Sequence, residues 1–177
     1  MSNFIKSNSS QPSTEVVKNT KEQFLQFDLD SEVRVMLPIS QITEVLKIEF
    51  AQIVPIPQMP SWVMGVYNWR GNILWMVDLG HLVGLNSWYQ IGFSECNVVV
   101  LSPNKATPQV EDDIHLGLVV YRVEDLEECN LKEIQPTIGN IAAKIANFAS
   151  GYWSNPQGEI VSVLDGDAIA RAMPSDR

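Results

Sequence analysis

Apolar and polar positions first fall into a regular order at residue 23. Within residues 23–30, Leu25, Phe27 and Leu29 recur with a period of two, the mark of a strand with one buried face. After a turn at Asp30-Ser31 the alternation resumes at Val33, Val35, Leu37 and Ile39, so the two runs predict a hairpin. Residues 40–46 fit either a helical turn or a third strand. Pro55, Pro57 and Pro60 predict an extended connection, because proline cannot donate to a ladder and pushes its predecessor out of the helical region. Then follow a strand from Trp62 to Tyr67, a turn from Asn68 to Gly71 and a strand from Asn72 to Val77. One or two helical turns from Asp78 end at Gly84.

The second half predicts the same order. Residues 96–101 read as a strand, 102–113 as a polar loop, 114–123 as a strand, 159–164 as a strand and 167–173 as a short final helix. Residues 124–150 are mixed, with Ile138, Ile141, Ile145 and Phe148 at roughly helical spacing. The repetition holds residue by residue. Displaced by 81, Val33, Val35, Leu37, Ile39, Ile42 and Val45 fall on Ile114, Leu116, Leu118, Val120, Val123 and Leu126. Displaced by 87, the segment Gly71 to Asp78 falls on Gly158 to Asp165, both glycines and both aspartates coincide, and Leu82 falls on Ile169. The chain therefore reads as a β-rich unit of about 70 residues, duplicated. A unit that small buries too little alone, so the two copies are expected to pack on each other.

Residues 1–22 are rich in Ser, Asn, Thr, Gln and Lys. Beyond the first Met, only Phe4, Ile5, Val16 and Val17 are strongly apolar there, and the segment reads as a mobile tail. Among all 177 residues, 45% are apolar and 19% charged, enough for a packed core and against disorder of the whole chain. The net charge of −9 has no basic cluster to set against it, which argues against nucleic acid and against an anionic membrane surface. No apolar run reaches the roughly 20 residues of a membrane span, and the N-terminus lacks the apolar core of a signal peptide. A cytoplasmic protein is expected, with Cys96 and Cys129 as free thiols.

Catalytic motifs do not emerge. His81 and His115 lie at non-corresponding places and read as packed or surface residues. No nucleophile elbow, phosphate loop or zinc helix is present. The acidic runs at residues 111–113 and 124–128 lack the alternating ligands of a calcium loop and read as a solvated loop and a helix face. Asp78 and Asp165 each end a strand and open a helical turn, where capping explains them. No enzyme, metal or cofactor is expected. What does stand out is aromatic: Trp62, Trp69, Trp75 and Trp88, joined by Tyr67 and Tyr89. Some must be core. Trp75, set by alternation on the face opposite Leu74 and Met76, and Trp69, in a turn beside Arg70, read as exposed anchors of the kind enriched at interfaces.

The segment from Met59 to Leu79 resembles the signature of the CheW family, the adaptors of bacterial chemosensory arrays, at Pro60, Gly65, Val66, Asn68, Arg70, Gly71, Asp78 and Leu79. Leu37-Pro-Ile with Ile42, Glu44 and Val45, and the segment from Gly117 to Val123, are similar to the family as well. The resemblance covers about residues 22–173. It implies an all-β fold of two five-stranded SH3-like barrels on a shared core, the first mainly residues 23–90, the second mainly 95–165, with a short C-terminal helix at 167–173. It also implies a non-enzymatic adaptor that couples the cytoplasmic tip of a methyl-accepting receptor to the regulatory domain of a CheA-type histidine kinase. Such an adaptor is recruited to membrane-associated arrays. Trp69, Trp75, Gly80, Tyr121 and Tyr152-Trp153 depart from the usual pattern, and resemble variant adaptors of type IV pilus or phototactic systems.

Gly65, Gly71, Gly158, Asp78 and Asp165 are expected to shape turns and caps. The resemblance places Ile42, Glu44, Asn68, Trp69 and Arg70 on the receptor-facing surface. Arg70 has two readings: an anchor projecting from a rigid turn, or an internal partner that holds the barrels together. Two other function classes stand beside the adaptor: a stand-alone inhibitory module that binds the kinase, and a barrel that binds a small ligand in a pocket lined by tryptophans.

Overall fold

The computed structural model describes residues 20–87, 92–102, 115–136 and 143–174. The expected tail over residues 1–19, Trp88, Tyr89, the loop acids 111–113, Ile138 and Ile141 lie outside them. The described residues form β1 (Lys21–Asp28), β2 (Arg34–Pro38), β3 (Ile42–Glu49), β4 (Val63–Trp69), β5 (Asn72–Asp78), β6 (Glu95–Leu101), β7 (His115–Val120), β8 (Arg122–Asn130), β9 (Ala149–Ser154) and β10 (Ile160–Leu164). Three short helices complete them: α1 (Leu79–Leu82), α2 (Ala143–Ala146) and α3 (Gly166–Arg171). The ambiguous stretch at 40–46 is both things in turn, a 3₁₀ turn over Ile39–Gln41 and then β3.

Two five-stranded sheets result, in the orders β8-β1-β2-β10-β9 and β3-β6-β7-β5-β4. Each curls into an SH3-like barrel, and an isolated bridge helps to close each one: Val54 with Val66 in one, Gln135 with Tyr152 in the other. The division at 23–90 and 95–165 is not the observed one. One barrel, here the insert barrel, is β3 to β7, a continuous run of chain. The other, the terminal barrel, joins β1 and β2 to β8, β9 and β10. The chain crosses over after β2 and returns after β7, so each barrel takes two strands from one repeat and three from the other.

The duplication itself is present in the pairing. Val35 lies beside Ser162 in the parallel β2–β10 ladder. Moved by the two displacements found in the sequence, that pair becomes Leu116 and Trp75, which lie side by side in the parallel β7–β5 ladder. Replacing each strand by the one five places on converts one sheet order into the other.

Three apolar clusters follow from the two barrels. One fills the insert barrel, with Ile48, Trp69, Leu74, Met76 and Val98 among its members. A smaller one fills the terminal barrel around Phe24, Met36, Trp153 and Val161. The largest lies between them and takes Leu25, Phe27, Val35 and Leu37 from one sheet and Val77, Val99 and Leu118 from the other. Strands β1 and β2 and strands β6 and β7 are thus buried on both faces over much of their length, which is why Val98–Leu101 reads as an unbroken apolar run.

Three further expectations are corrected. Lys21 and Glu22 are not tail but the start of β1, paired with Asn130 and Cys129. Residues 124–128 are not a helix face; they lie in β8. The mixed stretch also holds β9, and the helical spacing at Ile145 yields only the four residues of α2.

Candidate functional site: the β4–β5 turn and the edge of β3

Strands β4 and β5 are joined by the shortest kind of hairpin loop. Trp69 pairs with Asn72, leaving only Arg70 and Gly71 between the strands. Both have positive φ, +53° and +84°, the combination of a type I′ turn, whose twist matches that of the strands it joins. The Asn68 side-chain oxygen accepts from the Gly71 backbone N–H at 3.0 Å and fixes the turn from outside. Gly71 suits its position because glycine enters the left-handed region without strain. Arg70 occupies that region at a steric cost.

Gly65 has another role. A Cβ there would stand 2.1 Å from the Val54 carbonyl oxygen, and a Cβ on Gly151 would stand 2.4 Å from that of Gln135. Both glycines therefore permit the closing bridge of their barrel. Gly158 matches Gly71 in its φ of +84°, but its turn is longer and is organised by Asn155, whose side-chain oxygen accepts from the N–H groups of Gln157 and Glu159 at 3.0 and 2.8 Å. Asp78 and Asp165 are helix caps as expected. They accept from His81 N–H at 2.9 Å and from Asp167 N–H at 3.0 Å.

The edge strand β3 comes alongside the tip of the β4–β5 hairpin. Glu44 on β3 is the meeting point: one carboxylate oxygen accepts from the Trp69 indole N–H, and the other pairs with Arg70 Nη2 at 2.7 Å. The Arg70 guanidinium also lies 5.7 Å from the centre of the Trp69 ring. Trp69 is not an exposed anchor. At 9% exposure it closes the end of the insert barrel, with its ring edge-on to His115 at 5.0 Å. Trp75 is half-buried and packs on the core between the barrels. Arg70 does pair internally, yet its side chain is 71% exposed and its partner belongs to the same barrel. The pair therefore does not tie the barrels to each other. Ile42, two residues before Glu44, packs at the margin of the shared core. Four of the five expected residues thus gather at one barrel end; Ile42 lies further along the same strand.

Exposed apolar residues repeat between the barrels. Val45 and Ile73 on the insert barrel are 44% and 64% exposed, and Leu126 and Ile160 at the corresponding places of the terminal barrel are 56% and 52% exposed. Val45 continues a row of apolar residues through Val99, Leu118 and Val77 out to solvent, and Leu126 does the same through Leu25 and Leu37.

A charged cluster lies at the other crossing point of the chain. Asp28 is buried and receives Arg34 Nε and Arg122 Nη2, each at 2.8 Å, while Glu124 receives Arg122 Nε at 2.5 Å. Burial works against the Asp28 charge, but the hydrogen bonds from Arg34 and Arg122 outweigh it and hold the carboxyl below its ordinary range. Burial pushes the thiols up, Cys96 to about 12 and Cys129 to about 11, so at neutral pH both are protonated core residues. His81 is engaged by Ser61 at 2.8 Å. A shallow apolar depression of about 280 Å³ is lined by Phe50, Ile53, Pro55, Ser61, Val63 and Met64, without a tryptophan. Among the described residues no His, Cys, Asp and Glu group is arranged to hold a metal, and no helix is long and apolar enough to cross a membrane.

The profile of the CheW-like domain family matches residues 23–173. The chain belongs to that family. It is 28% identical over 150 residues to the chemotaxis protein CheW of Thermotoga maritima, covering 84% of this chain and 81% of that protein. The crystal structure of the scaffolding protein TtCheW from Thermoanaerobacter tengcongensis has the same fold, with a TM-score of 0.65 and 21% identity over 81% of this chain and 88% of that one. The CheW-like signature thus maps onto the closing glycine, the I′ turn and the capped helix described above.

Proposed function

We propose that this chain is a non-enzymatic chemosensory adaptor, which couples the cytoplasmic tip of a methyl-accepting receptor to the regulatory domain of a CheA-type histidine kinase. The observation that carries the reading is the set of exposed apolar side chains repeated at equivalent places on the two barrels, Val45 and Ile73 on one and Leu126 and Ile160 on the other. A domain that presents two similar docking faces on one rigid core can bridge partners without any chemistry of its own. The surface around Glu44 and Arg70 is the receptor-facing one in this reading. Ile42 borders it, Asn68 sets the turn and Trp69 supports it from below. The adaptor works in the cytoplasm at membrane-associated arrays, in a motility or taxis pathway of the type IV pilus or phototactic kind.

Reconstitution tests it. Kinase, receptor signalling fragment and adaptor are combined, and kinase autophosphorylation is followed. Activity that responds to the receptor only when the adaptor is present supports coupling. Suppression of the kinase that ignores the receptor would instead identify a stand-alone inhibitory module. The depression of about 280 Å³ gives a ligand-binding reading little support, since none of the described tryptophans lines it: Trp69 is in a core, and Trp62 and Trp75 pack against one.

A further inference from the structure

Trp69 touches both members of the Glu44–Arg70 pair. An exposed arginine–carboxylate pair standing alone contributes little and holds no single geometry. Here the carboxylate is gripped on its other oxygen by a buried indole N–H. The indole cannot swing away, because it closes the barrel end and meets the His115 ring edge-on at 5.0 Å. The same ring lies beneath the cation, 5.7 Å from the guanidinium carbon. The backbone beneath is set by the Asn68–Gly71 hydrogen bond of 3.0 Å.

We propose that Trp69 is a positioning residue, which holds Glu44 and through it fixes the direction in which Arg70 presents its guanidinium to a partner carboxylate. This rests on the reading that the face around Arg70 meets the receptor. Only Nη2 of Arg70 is taken up by Glu44; Nε and Nη1 have no partner among the described residues, and the side chain is 71% exposed. A guanidinium carries five N–H donors in a planar fork, suited to a carboxylate in one orientation. A planar fork gains specificity only when its plane is fixed, and an aliphatic residue at position 69 supplies neither the donor nor the ring face. The corresponding turn of the terminal barrel, Asn155 to Gly158, carries no charge, so the device belongs to one barrel end and marks it as the end that reads an acidic partner.

The test uses the full chain. ¹⁵N NMR at low temperature follows the Arg70 Nη–H and Trp69 indole signals in wild type, Trp69→Phe and Glu44→Gln. Phenylalanine keeps an aromatic face but removes the donor and one ring's worth of buried volume; the Glu44→Gln variant leaves the core untouched if Trp69→Phe folds poorly. The proposal expects a distinct, slowly exchanging Arg70 signal in wild type that broadens in both variants. Calorimetry with a soluble receptor-tip fragment then expects about tenfold weaker binding for Trp69→Phe, with Arg70→Ala adding little further loss in that background. An Arg70 signal unchanged in both variants, or losses that simply add, would overturn the positioning role. If Arg70→Ala alone binds the fragment as wild type does, the receptor-facing reading fails, while the NMR signals still decide what Trp69 does.

Discussion

Asp28 and Arg122 meet at 2.8 Å although 94 residues separate them, and their contact pins the returning chain at the start of β8 to the end of β1. With Arg34 as a second donor to it, Asp28 has a carboxyl held below its ordinary 3.8. A carboxyl more acidic in the folded than in the unfolded state contributes stability that is present above the unfolded value and is lost as pH falls through the folded one. Urea unfolding should therefore show wild type losing stability as the pH falls below about 5. Asp28→Asn should be less stable at neutral pH by about 1–3 kcal/mol, and its stability should fall less on acidification. Identical acid sensitivity of the two proteins would contradict this.

The glycines divide into two classes that calorimetry can separate. Gly65→Ala and Gly151→Ala place a Cβ 2.1 and 2.4 Å from a carbonyl oxygen of the closing bridge, so each should lower stability by on the order of 3 kcal/mol or prevent folding. Gly71→Ala and Gly158→Ala meet nothing within 4 Å and are penalised only by their positive φ, at about 1 kcal/mol each. Equal melting temperatures across the four variants would refute the distinction.

Arg70 occupies a turn position that prefers asparagine or glycine. Arg70→Gly removes an exposed ion pair worth about 0–1 kcal/mol and relieves the left-handed strain, so its melting temperature should stay within a few degrees of wild type. Receptor coupling should nonetheless be lost. A strongly destabilised variant that still couples would make the residue structural.

Docking to the kinase regulatory domain should depend on Val45, Ile73, Leu126 and Ile160 rather than on charge. Apolar contacts desolvated on docking are insensitive to salt, whereas rim charges are screened within about 8 Å at physiological ionic strength. Affinity measured from low to high salt should change little, and a fall of more than roughly tenfold would point to an electrostatic interface.

Residues 22–90 expressed alone should give a poorly dispersed amide spectrum. That fragment holds β3, β4 and β5 without β6 and β7, and β1 and β2 without β8, β9 and β10. A well-dispersed, cooperatively melting fragment would show that the exchange of strands is dispensable.

Much of this fold was legible from residue patterns. The displacements of 81 and 87 predicted which residues are equivalent, and the Val35–Ser162 and Leu116–Trp75 pairs show the same correspondence in space. The displacements are silent on which copy completes which sheet, since an exchange of strands leaves every equivalence intact. Strand β8 was hidden for another reason: Val123, Leu126 and Cys129 recur every three residues amid acids, a helix-like spacing, and only the match of Leu126 to Val45 hinted at a strand. Trp69 looked exposed because it stood beside Arg70 in a predicted four-residue turn. A two-residue turn makes it the last strand residue instead, with its ring turned into the barrel. The partner of Arg70, 26 residues away, carried no local signal at all.

The crossing of the chain between barrels also sets an order of events at the ribosome. All five strands of the insert barrel are complete once residue 120 has been made, whereas the terminal barrel waits for residue 164. Until then the β1–β2 hairpin, the first to emerge, waits longest for its neighbours β8 and β10, its Phe24, Phe27 and Leu37 without the residues that complete their cores. The insert barrel, for its part, carries Val77, Val99 and Leu118 on the face that packs against Leu25, Phe27, Val35 and Leu37 of that same hairpin. Residues 121–164 therefore act on two surfaces at once, completing one barrel and holding in place the hairpin that shields the flank of the other.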